Sequence, residues 1–190
     1  MKEWDLIQTV LGPDSVYTSV DKRCLTNDGC IVDLGCLCWD WCEFFIGKKR
    51  VIGADPYEKT KKEHTEFFNG VVWDYNGTIK MRNIGVGASV FDDGEDVFEV
   101  KNWKTFCKDF NIDKISVLKL NIEGAEYNLL KSFTDDDFDR IDQIAVSFHD
   151  WMDSKWVKDT AECIALLESK NYTLKKLGNL FGWFLAVKNI

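Results

Sequence analysis

Proline and long apolar runs are both scarce in this chain. Only two of its 190 residues are proline, so little interrupts regular secondary structure. No uninterrupted apolar stretch approaches the roughly 20 residues that a membrane span needs. The segment Met1-Lys-Glu-Trp-Asp5 lacks the basic and apolar regions of a secretory signal peptide. We therefore expect no membrane span and a cytoplasmic location.

An excess of positive charge is absent as well. The chain has 24 Lys and Arg residues against 32 Asp and Glu residues, which gives a net charge of -8. Surfaces that bind nucleic acid gain most of their affinity from clustered Lys and Arg. We therefore expect no nucleic-acid partner.

The cysteines lack the spacing of metal ligands. There are seven, and none forms a Cys-x2-Cys pair or has a matching pair of histidines. An odd number cannot pair completely, and the expected compartment is reducing. The sequence therefore predicts buried thiols that act as small apolar residues, without disulfides and without a bound metal.

Strands and helices are predicted to alternate through one domain. Hydrophobic residues make up 45% of the chain, enough for the core of a domain of this length. Near-continuous apolar runs predict buried strands at 30–35 and 51–55. Further strands are predicted at 71–73, 115–122, 144–148, 172–177 and 181–187. Helices are predicted between them, at 39–47, 56–68, 103–110, 125–133 and 156–167. The pattern indicates an α/β fold with a mostly parallel sheet, an antiparallel C-terminal hairpin and helices on both faces.

Local sequence signals refine this arrangement at four places. Asn76-Gly77 predicts a hairpin from 71–73 into 79–82. Gly178-Asn179 separates the last two predicted strands. Residues 85–96, rich in glycine and acid, are expected to form a loop, and Asp135-Asp-Asp137 favours the start of a helix.

Polar residues end the predicted parallel strands, where α/β folds bind their ligands. Asp33 and Gly35 end the first strand, and Asp55 followed by Pro56 ends the second. A glycine lets the backbone approach a ligand closely. Asp55 would accept hydrogen bonds from ribose hydroxyls, and Asp33 would offer a carboxylate to an ammonium group. The two strand ends therefore predict an adenosine-containing ligand, with S-adenosylmethionine as the leading hypothesis.

A nicotinamide cofactor is the competing ligand. It needs Gly-x-Gly-x-x-Gly to bring a pyrophosphate onto a helix amino terminus. Here Gly35 is followed by Cys36, Leu37, Cys38 and Trp39. Such a crowded loop can accommodate a cofactor that has no phosphates, but it is poorly suited to a cofactor with two phosphates. Cys36 would lie in the wall of the pocket. An oxidoreductase is the less favoured alternative.

Four stretches resemble the FkbM-type methyltransferases in order and spacing. They are Asp33-Leu-Gly35, Ile52-Gly-Ala-Asp-Pro56, Val117-Leu-Lys-Leu-Asn-Ile-Glu-Gly-Ala-Glu126 and Ile144-Ala-Val-Ser-Phe-His149. The resemblance implies a class I methyltransferase fold, with seven strands in the order 3-2-1-4-5-7-6 and S-adenosylmethionine as the methyl donor. It also implies O-methylation of a hydroxyl on a sugar, glycan or other small molecule.

Three residues depart from that family's pattern. Trp39 stands where the family usually has a glycine, so its ring must either swing outward or narrow the pocket. Asn121 stands where the family has an aspartate, and an amide cannot act as a base. Ser147 stands where an acid is expected. A degenerate protein that binds cofactor or a partner without turnover is therefore the alternative.

Methyl transfer to a hydroxyl requires alignment of the acceptor and removal of one proton. Glu123 and His149 are the candidate bases, since an imidazole titrates near neutrality. The alternatives are that Glu123 anchors its loop and that His149 is structural. Asn121 and Glu123 alternate along one predicted strand with Lys119, so both would address one pocket. A divalent metal on Asn121, Glu123 and His149 would have a single carboxylate, a poor hard-cation site, and no metal is predicted.

Aromatic residues near the predicted site have two interpretations. Trp73 and Asp74 end the predicted third strand, where the fold class usually places adenine, so Trp73 either stacks on the ring or packs in the core. Trp151 and Trp156 form either a wall over the acceptor or part of the core. A homodimer or other partner that closes the cleft is a further expectation. The predicted cofactor-binding residues are Asp33, Gly35, Cys36, Asp55, Pro56, Trp73, Asp74 and Asn121.

Overall fold

Alternating strands and helices make up the described chain. The computed structural model describes residues 6–8, 19–84, 87–177 and 182–189. The strands are β1 (Leu6–Gln8), β2 (Ser19–Asp21), β3 (Cys30–Leu34), β4 (Val51–Ala54), β5 (Thr65–Phe68), β6 (Val71–Trp73), β7 (Gly77–Met81), β8 (Asp96–Asn102), β9 (Ile115–Leu120), β10 (Gln143–Ser147), β11 (Tyr172–Lys176) and β12 (Trp183–Lys188). The α-helices are α1 (Trp103–Asp109), α2 (Glu126–Ser132), α3 (Asp135–Asp139) and α4 (Trp156–Ser169).

A seven-stranded sheet holds the strands in the order β5-β4-β3-β9-β10-β12-β11. Counted along the chain within this sheet, the order is 3-2-1-4-5-7-6. β12 runs antiparallel to both of its neighbours, and the pairs from β5 to β10 are parallel. The predicted α/β fold, its strand order and its antiparallel C-terminal pair are therefore confirmed.

The central strands are buried on both faces. Every residue of β3, β4, β9 and β10 is buried, as their near-continuous apolar sequences predict for a covered parallel sheet. The register places Asp33 of β3 between Gly53 of β4 and Lys119 of β9. Two charged residues therefore lie side by side within an otherwise apolar layer.

The α-helices lie against one face of this sheet. Their apolar residues join a large core cluster, which includes Phe106 of α1, Leu129 and Leu130 of α2, Phe138 of α3 and Leu167 of α4. Thr134 caps α3 in a reciprocal capping box with Asp137, so the predicted helix start at the acidic run is confirmed.

Short 3-10 helices and loops cover the opposite face, at Lys22–Leu25, Leu37–Trp39 and Glu43–Phe45. The short helix predicted over 39–47 is present only as the 3-10 helix at Glu43–Phe45, with turns around it. Cys38 and Trp39 have φ values of 64° and 60°, and this left-handed backbone is incompatible with a continuous α-helix. The buried ring of Trp39 joins the core cluster on this face with Trp41 and Phe45.

A small separate sheet has the order β6-β8-β7. β8 pairs in parallel with β6 and antiparallel with β7, so the predicted hairpin from 71–73 into 79–82 is wrong. The third strand of the main sheet is β5, whereas residues 71–73 belong to the small sheet. β8 itself, which leads into α1, was not predicted. At the other end of the chain, β1 and β2 form an antiparallel pair.

The predicted helix over 56–68 is also wrong, because after Asp55 the chain forms bends, turns and irregular backbone and then strand β5. One oxygen of Asp55 accepts hydrogen bonds from the main-chain N–H groups of Tyr57 and Glu58. One oxygen of Glu58 accepts from those of Lys59 and Thr60. Both side chains thus bind main-chain donors in the segment that leads into strand β5.

Two predicted features involve residues that the structure does not describe. The turn at Gly178-Asn179 and the first two positions of the loop 85–96 lie outside the described residues. Within the described ranges, helices long and apolar enough to traverse a lipid bilayer are absent.

Candidate active site

A cavity opens at the carboxyl ends of β3, β4 and β9. It encloses about 700 Å³, its open mouth included. Residues of β6, β7 and the connection after β7 form one of its walls. The lining residues are Leu34, Gly35, Leu37, Ala54, Asp55, Pro56, Tyr57, Gly70, Val71, Val72, Met81, Gly87, Ala88, Val90, Asn121, Ile122, Glu123 and Ala125. Two carboxylates, those of Asp55 and Glu123, therefore face an otherwise largely apolar space.

Gly35 forms the turn that begins the floor of this cavity. Its φ is +78°, and a Cβ built on it would overlap the main-chain carbonyl oxygen of Asn121. Its N–H donates to the carbonyl oxygen of Ala54 over 2.9 Å. Both the backbone conformation and the close approach of β9's carboxyl end require glycine at this position.

Asp33 lies beneath this turn and does not line the cavity. Its side chain is almost fully buried, and its Oδ1 lies 2.7 Å from Nζ of Lys119. The same ammonium donates to the carbonyl oxygen of Gly35 over 2.6 Å. Asp33 was expected to meet a ligand's ammonium group, but in the structure the ammonium of Lys119 occupies that role and ties Asp33 to the glycine turn.

Cys36 and Trp39 point away from the cavity into the core. A Cβ built on Gly53 would lie 2.7 Å from the Cys36 sulfur and 2.6 Å from the Trp39 ring, so Gly53 makes room for both side chains. Burial raises the pKa of the Cys36 thiol far above its usual value. The sequence left two alternatives for Trp39, a ring that swings outward or a ring that narrows the pocket. In the structure the ring points away and does not narrow the cavity.

Asp55 closes one end of the cavity and is fixed by backbone donors. Its Oδ1 accepts from the N–H groups of Tyr57 (2.7 Å) and Glu58 (2.9 Å), and its Oδ2 accepts from the N–H of Leu37 (3.1 Å). Burial raises the pKa of Asp55, against the lowering effect of the hydrogen bonds from Glu58 and Tyr57. Pro56 lines the cavity beside it.

Glu58 and Thr60 continue this fixation of the loop after Gly35. Oε2 of Glu58 accepts from the N–H of Cys38 over 2.8 Å, and the carbonyl oxygen of Thr60 accepts from Nε1 of Trp39 over 2.8 Å. These two bonds hold the left-handed residues Cys38 and Trp39 against the segment after β4. Neither Glu58 nor Thr60 was singled out from the sequence, where their charged surroundings favoured an exposed helix.

Glu123 lies at the other end of the cavity. β9 ends at Leu120, and Glu123 has a φ of +53°. The expectation that Asn121 and Glu123 alternate along one strand is therefore wrong, although both line the cavity. Oε2 of Glu123 lies 3.3 Å from Nε2 of His149.

His149 is buried between two carboxylates. Its Nδ1 lies 2.9 Å from Oε1 of Glu126, opposite the contact of Nε2 with Glu123. Burial lowers the pKa of His149, but the hydrogen bonds to Glu123 and Glu126 outweigh this and raise the pKa to about 9. At neutral pH the ring is therefore an imidazolium whose two N–H groups face carboxylates, and it has no lone pair with which to accept a proton.

Glu126 is the partner of His149 that the sequence analysis did not assign. It is fully buried at the first turn of α2. The string Glu123-Gly-Ala-Glu126 contains it, but only the folded chain shows that the second glutamate points back toward the end of β10. The signal that could have singled it out is a carboxylate at a position where a helix otherwise faces the core.

Trp73 and Asp74 are not among the residues that line the cavity. The ring of Trp73 packs against Tyr75 and Phe91, with centroids 5.5 and 5.8 Å apart. Val71 and Val72 of the same strand face the cavity instead. Of the two interpretations of Trp73, the structure supports packing against its neighbours.

The two tryptophans after His149 differ in environment. Trp156 is partly buried and packs against Phe91 and Tyr127, with centroids 5.7 and 5.8 Å apart. Trp151 is 57% exposed, and its ring centroid lies 6.0 Å from that of His149. Trp156 is therefore part of the packing, whereas Trp151 is available on the surface.

A metal ion has little to bind at this site. In the part of the chain that the structure describes, no group of three or more His, Cys, Asp or Glu residues is arranged to hold one. Both ring nitrogens of His149 face carboxylates, which leaves no nitrogen free for the metal set considered from Asn121, Glu123 and His149.

The strand order and the cavity at the carboxyl edge define the fold of class I methyltransferases. A family model described as the methyltransferase FkbM domain matches residues 24–174. The chain therefore belongs to the FkbM methyltransferase family.

A solved structure supports the fold. It is the crystal structure of methyltransferase FkbM from Methylobacillus flagellatus KT, with a TM-score of 0.52 and 14% sequence identity. The match covers 84% of this chain and 43% of that one, so this chain spans less than half the length of its neighbour. No curated protein is significantly similar in sequence.

Proposed function

We propose that the chain transfers a methyl group from S-adenosylmethionine to a hydroxyl of a sugar, glycan or other small molecule. The observation that carries this proposal is the cavity itself. Its floor is the Gly35 turn, with the carboxylate of Asp55 at one end and that of Glu123 at the other. Membership of the FkbM family supports methyl transfer as the reaction.

The cavity is suited to this cofactor in charge. Its described lining includes two carboxylates and no lysine or arginine. A sulfonium cation is favoured in such a space, whereas a pyrophosphate would lack cationic partners. The lining therefore also argues against a nicotinamide cofactor.

Asp55 and Gly35 are assigned to the cofactor. Asp55 accepts three backbone hydrogen bonds, and its two oxygens have about four acceptor sites in total. It therefore retains capacity for a ribose hydroxyl. Gly35 exposes backbone at the cavity floor, with Pro56 and Asn121 beside it. Asp33 is assigned to the support of the glycine turn through Lys119, and Cys36, Trp73 and Asp74 to the structure around the pocket.

Glu123 is assigned to accept the proton of the acceptor hydroxyl. S-adenosylmethionine, when bound, supplies an electrophilic methyl group, so the chain needs only to align the acceptor and remove a proton. Glu123 lines the cavity, whereas His149 is already protonated and lies behind it. We therefore assign His149 to hold Glu123 and Asn121 to offer its amide to the ligands.

Isothermal titration with S-adenosylhomocysteine tests cofactor binding. We expect binding by the wild-type chain and a large loss of affinity in Asp55→Ala. Absence of binding by the wild-type chain would contradict the proposal. Titration with NADH in parallel, followed by Trp fluorescence, tests the nicotinamide alternative, for which only NADH would bind.

A methyl-transfer screen across sugars and nucleotide-sugars tests the reaction. We expect transfer by the wild-type chain and a loss of about 100-fold or more in Glu123→Gln, because general base catalysis contributes roughly 10²–10⁴-fold. The degenerate alternative is favoured by Asn121 in place of the family's aspartate. Binding of S-adenosylhomocysteine without transfer to any acceptor would support that alternative, and full activity of Glu123→Gln would reject Glu123 as the base.

A further inference from the structure

Glu126 connects the ends of two strands beside the cavity. Its Oε1 lies 2.9 Å from Nδ1 of His149 and accepts from the main-chain N–H of the same residue over 3.2 Å. Its Oε2 accepts from the N–H of Gly124 over 2.9 Å. One buried carboxylate thus joins the connection after β9 to the residue that follows β10.

Glu123 lies within the segment that this connection fixes. Glu123 and Gly124 have φ values of +53° and +98°. Glycine adopts such a φ readily, but the left-handed conformation of Glu123 needs restraint from its surroundings. The hydroxyl of Ser89 donates to the carbonyl oxygen of Glu123 over 2.6 Å. Glu126 holds the next N–H, and His149 contacts the Glu123 carboxylate. The backbone and the side chain of Glu123 are therefore restrained separately.

We propose that Glu126 is a positioning residue, which through its two oxygens fixes both the backbone after Glu123 and the imidazolium that holds the Glu123 carboxylate toward the cavity. The importance of this orientation for catalysis rests on the proposed function of Glu123. The connection itself does not depend on which ligand occupies the cavity.

Charge supports the same assignment. The charged groups that face the His149 ring are Glu123, from the connection after β9, and Glu126, from α2. Glu126 is fully buried, whereas the Glu123 side chain is 17% exposed. The hydrogen bonds and charges of Glu123 and Glu126 both raise the pKa of His149, and the contact with Glu126 lies within the protein, away from solvent.

Glu126→Gln, a near-isosteric variant, tests the contacts that both carboxylate oxygens of Glu126 make. Glutamine keeps one acceptor oxygen, but its NH2 group cannot accept from Gly124 or from a protonated imidazole. The chain has two histidines, so NMR of the ring signals follows His149 directly, with His64→Gln to assign the other. We expect the His149 titration midpoint to fall by at least about one pH unit, and exchange of the Gly124 amide to accelerate by about tenfold or more.

Asp137→Asn is the matched control. Asp137 is also a buried carboxylate that binds backbone and side-chain donors at the start of a helix, but it belongs to α3 and contacts Thr134 and Trp103. We expect it to destabilise the fold without moving the His149 midpoint. Ser89→Ala, which removes a different restraint on Glu123, should likewise leave that midpoint unchanged.

The outcomes separate this inference from the proposed function. An ordinary midpoint for His149 in the wild-type chain, or an unchanged midpoint in Glu126→Gln, would overturn the role of Glu126. If Glu126→Gln does not fold, Glu126→Asp keeps the charge but shortens its reach, and an unchanged midpoint and unchanged Gly124 exchange there would overturn it equally. Failure of the wild-type chain to bind S-adenosylhomocysteine would contradict the proposed function and leave these readouts intact.

Discussion

The two ends of the cavity hold their carboxylates in different ways. Asp55 is fixed by three main-chain N–H donors, with burial as the dominant influence on its charge. Glu123 is fixed through a charged ring, which a second carboxylate holds from behind. The orientation of a carboxylate that is bound by neutral main-chain donors depends on backbone geometry alone. The orientation of a carboxylate that is bound by an imidazolium also depends on whether the ring keeps its proton.

The difference implies opposite responses to pH. Asp55 has a raised pKa, so in the folded protein it takes up a proton at a higher pH than an ordinary aspartate. His149, with a pKa of about 9, loses its proton only in alkaline solution. Acid should therefore weaken the Asp55 end first, and alkali the Glu123 end.

Gly35→Ala should disrupt both ends of the cavity at once, with the largest expected effect on stability and ligand binding. The added Cβ would overlap the carbonyl oxygen of Asn121, and the φ of +78° disfavours alanine. We expect a loss of about 4 kcal/mol in the free energy of unfolding, from backbone strain and overpacking together, and no binding of S-adenosylhomocysteine. Urea denaturation and isothermal titration would measure the two effects.

Gly47→Ala is the control for Gly35→Ala. Gly47 has nearly the same φ of +77°, but a Cβ there would meet no atom within 4 Å. We expect it to lose only about 1 kcal/mol. Equal losses in the two variants would show that the contact with Asn121 is unimportant.

Alkaline pH should break the Glu123 end alone. The pKa of His149 is raised from about 6.5 in the unfolded chain to about 9 in the folded one. Its stabilising contribution is therefore complete below about pH 6.5 and is lost as the pH rises through about 9, a decrease of about 3 kcal/mol. Urea denaturation across this range would measure it.

His149→Gln and His64→Gln sharpen that measurement. The side chain of His64 is 69% exposed, and it contacts the exposed carboxylate of Glu63. The decrease should disappear in His149→Gln and persist in His64→Gln. Persistence in both variants would assign the alkaline transition to other groups.

Asp55→Asn should break the other end with a smaller effect. The amide nitrogen of asparagine cannot accept the backbone hydrogen bonds that Asp55 accepts, and the charge is lost. We expect the affinity for S-adenosylhomocysteine to fall by about 30-fold, the scale of one charged hydrogen bond. Glu123→Gln should change this affinity by no more than about threefold, and a similar loss in both would erase the distinction between the two ends.

Trp39→Phe should have the smallest effect. It removes the hydrogen bond from Nε1 to the carbonyl oxygen of Thr60 but keeps a buried ring, so we expect a loss of about 1 kcal/mol in the free energy of unfolding. In the described chain, Nε1 of the buried Trp41 has no hydrogen-bond partner. Trp41→Phe is therefore the control, and thermal denaturation should show the larger decrease in Trp39→Phe.

The strands of the central sheet could be predicted from the sequence, because a strand that is buried on both faces has an almost continuous run of apolar residues. The runs at β3, β4, β9 and β10 are apolar almost without interruption, and the strand ends with Gly35 and Asp55 meet at one edge as parallel strands must. Cavity-lining residues at those ends could therefore be predicted from position alone.

Contacts between distant parts of the chain account for the errors. The ion pair of Asp33 with Lys119 joins neighbouring strands that are far apart in sequence, and nothing local predicts it. The left-handed backbone at Trp39 depends on the Thr60 carbonyl and on the space over Gly53. Glu126 gains its role only because α2 brings it to the end of β10.

The pairing of β7 with β8 joins the two ends of a loop that forms part of the cavity wall. Met81 and Asp96 are direct partners in that pair, so the connection between them leaves and returns at one rung of the small sheet. That connection supplies Gly87, Ala88 and Val90 to the cavity wall and Ser89 to Glu123. Because its two ends are already joined, its length can change at little entropic expense. Exchange of this one loop would therefore reshape one wall of the cavity without disturbance of the parallel sheet.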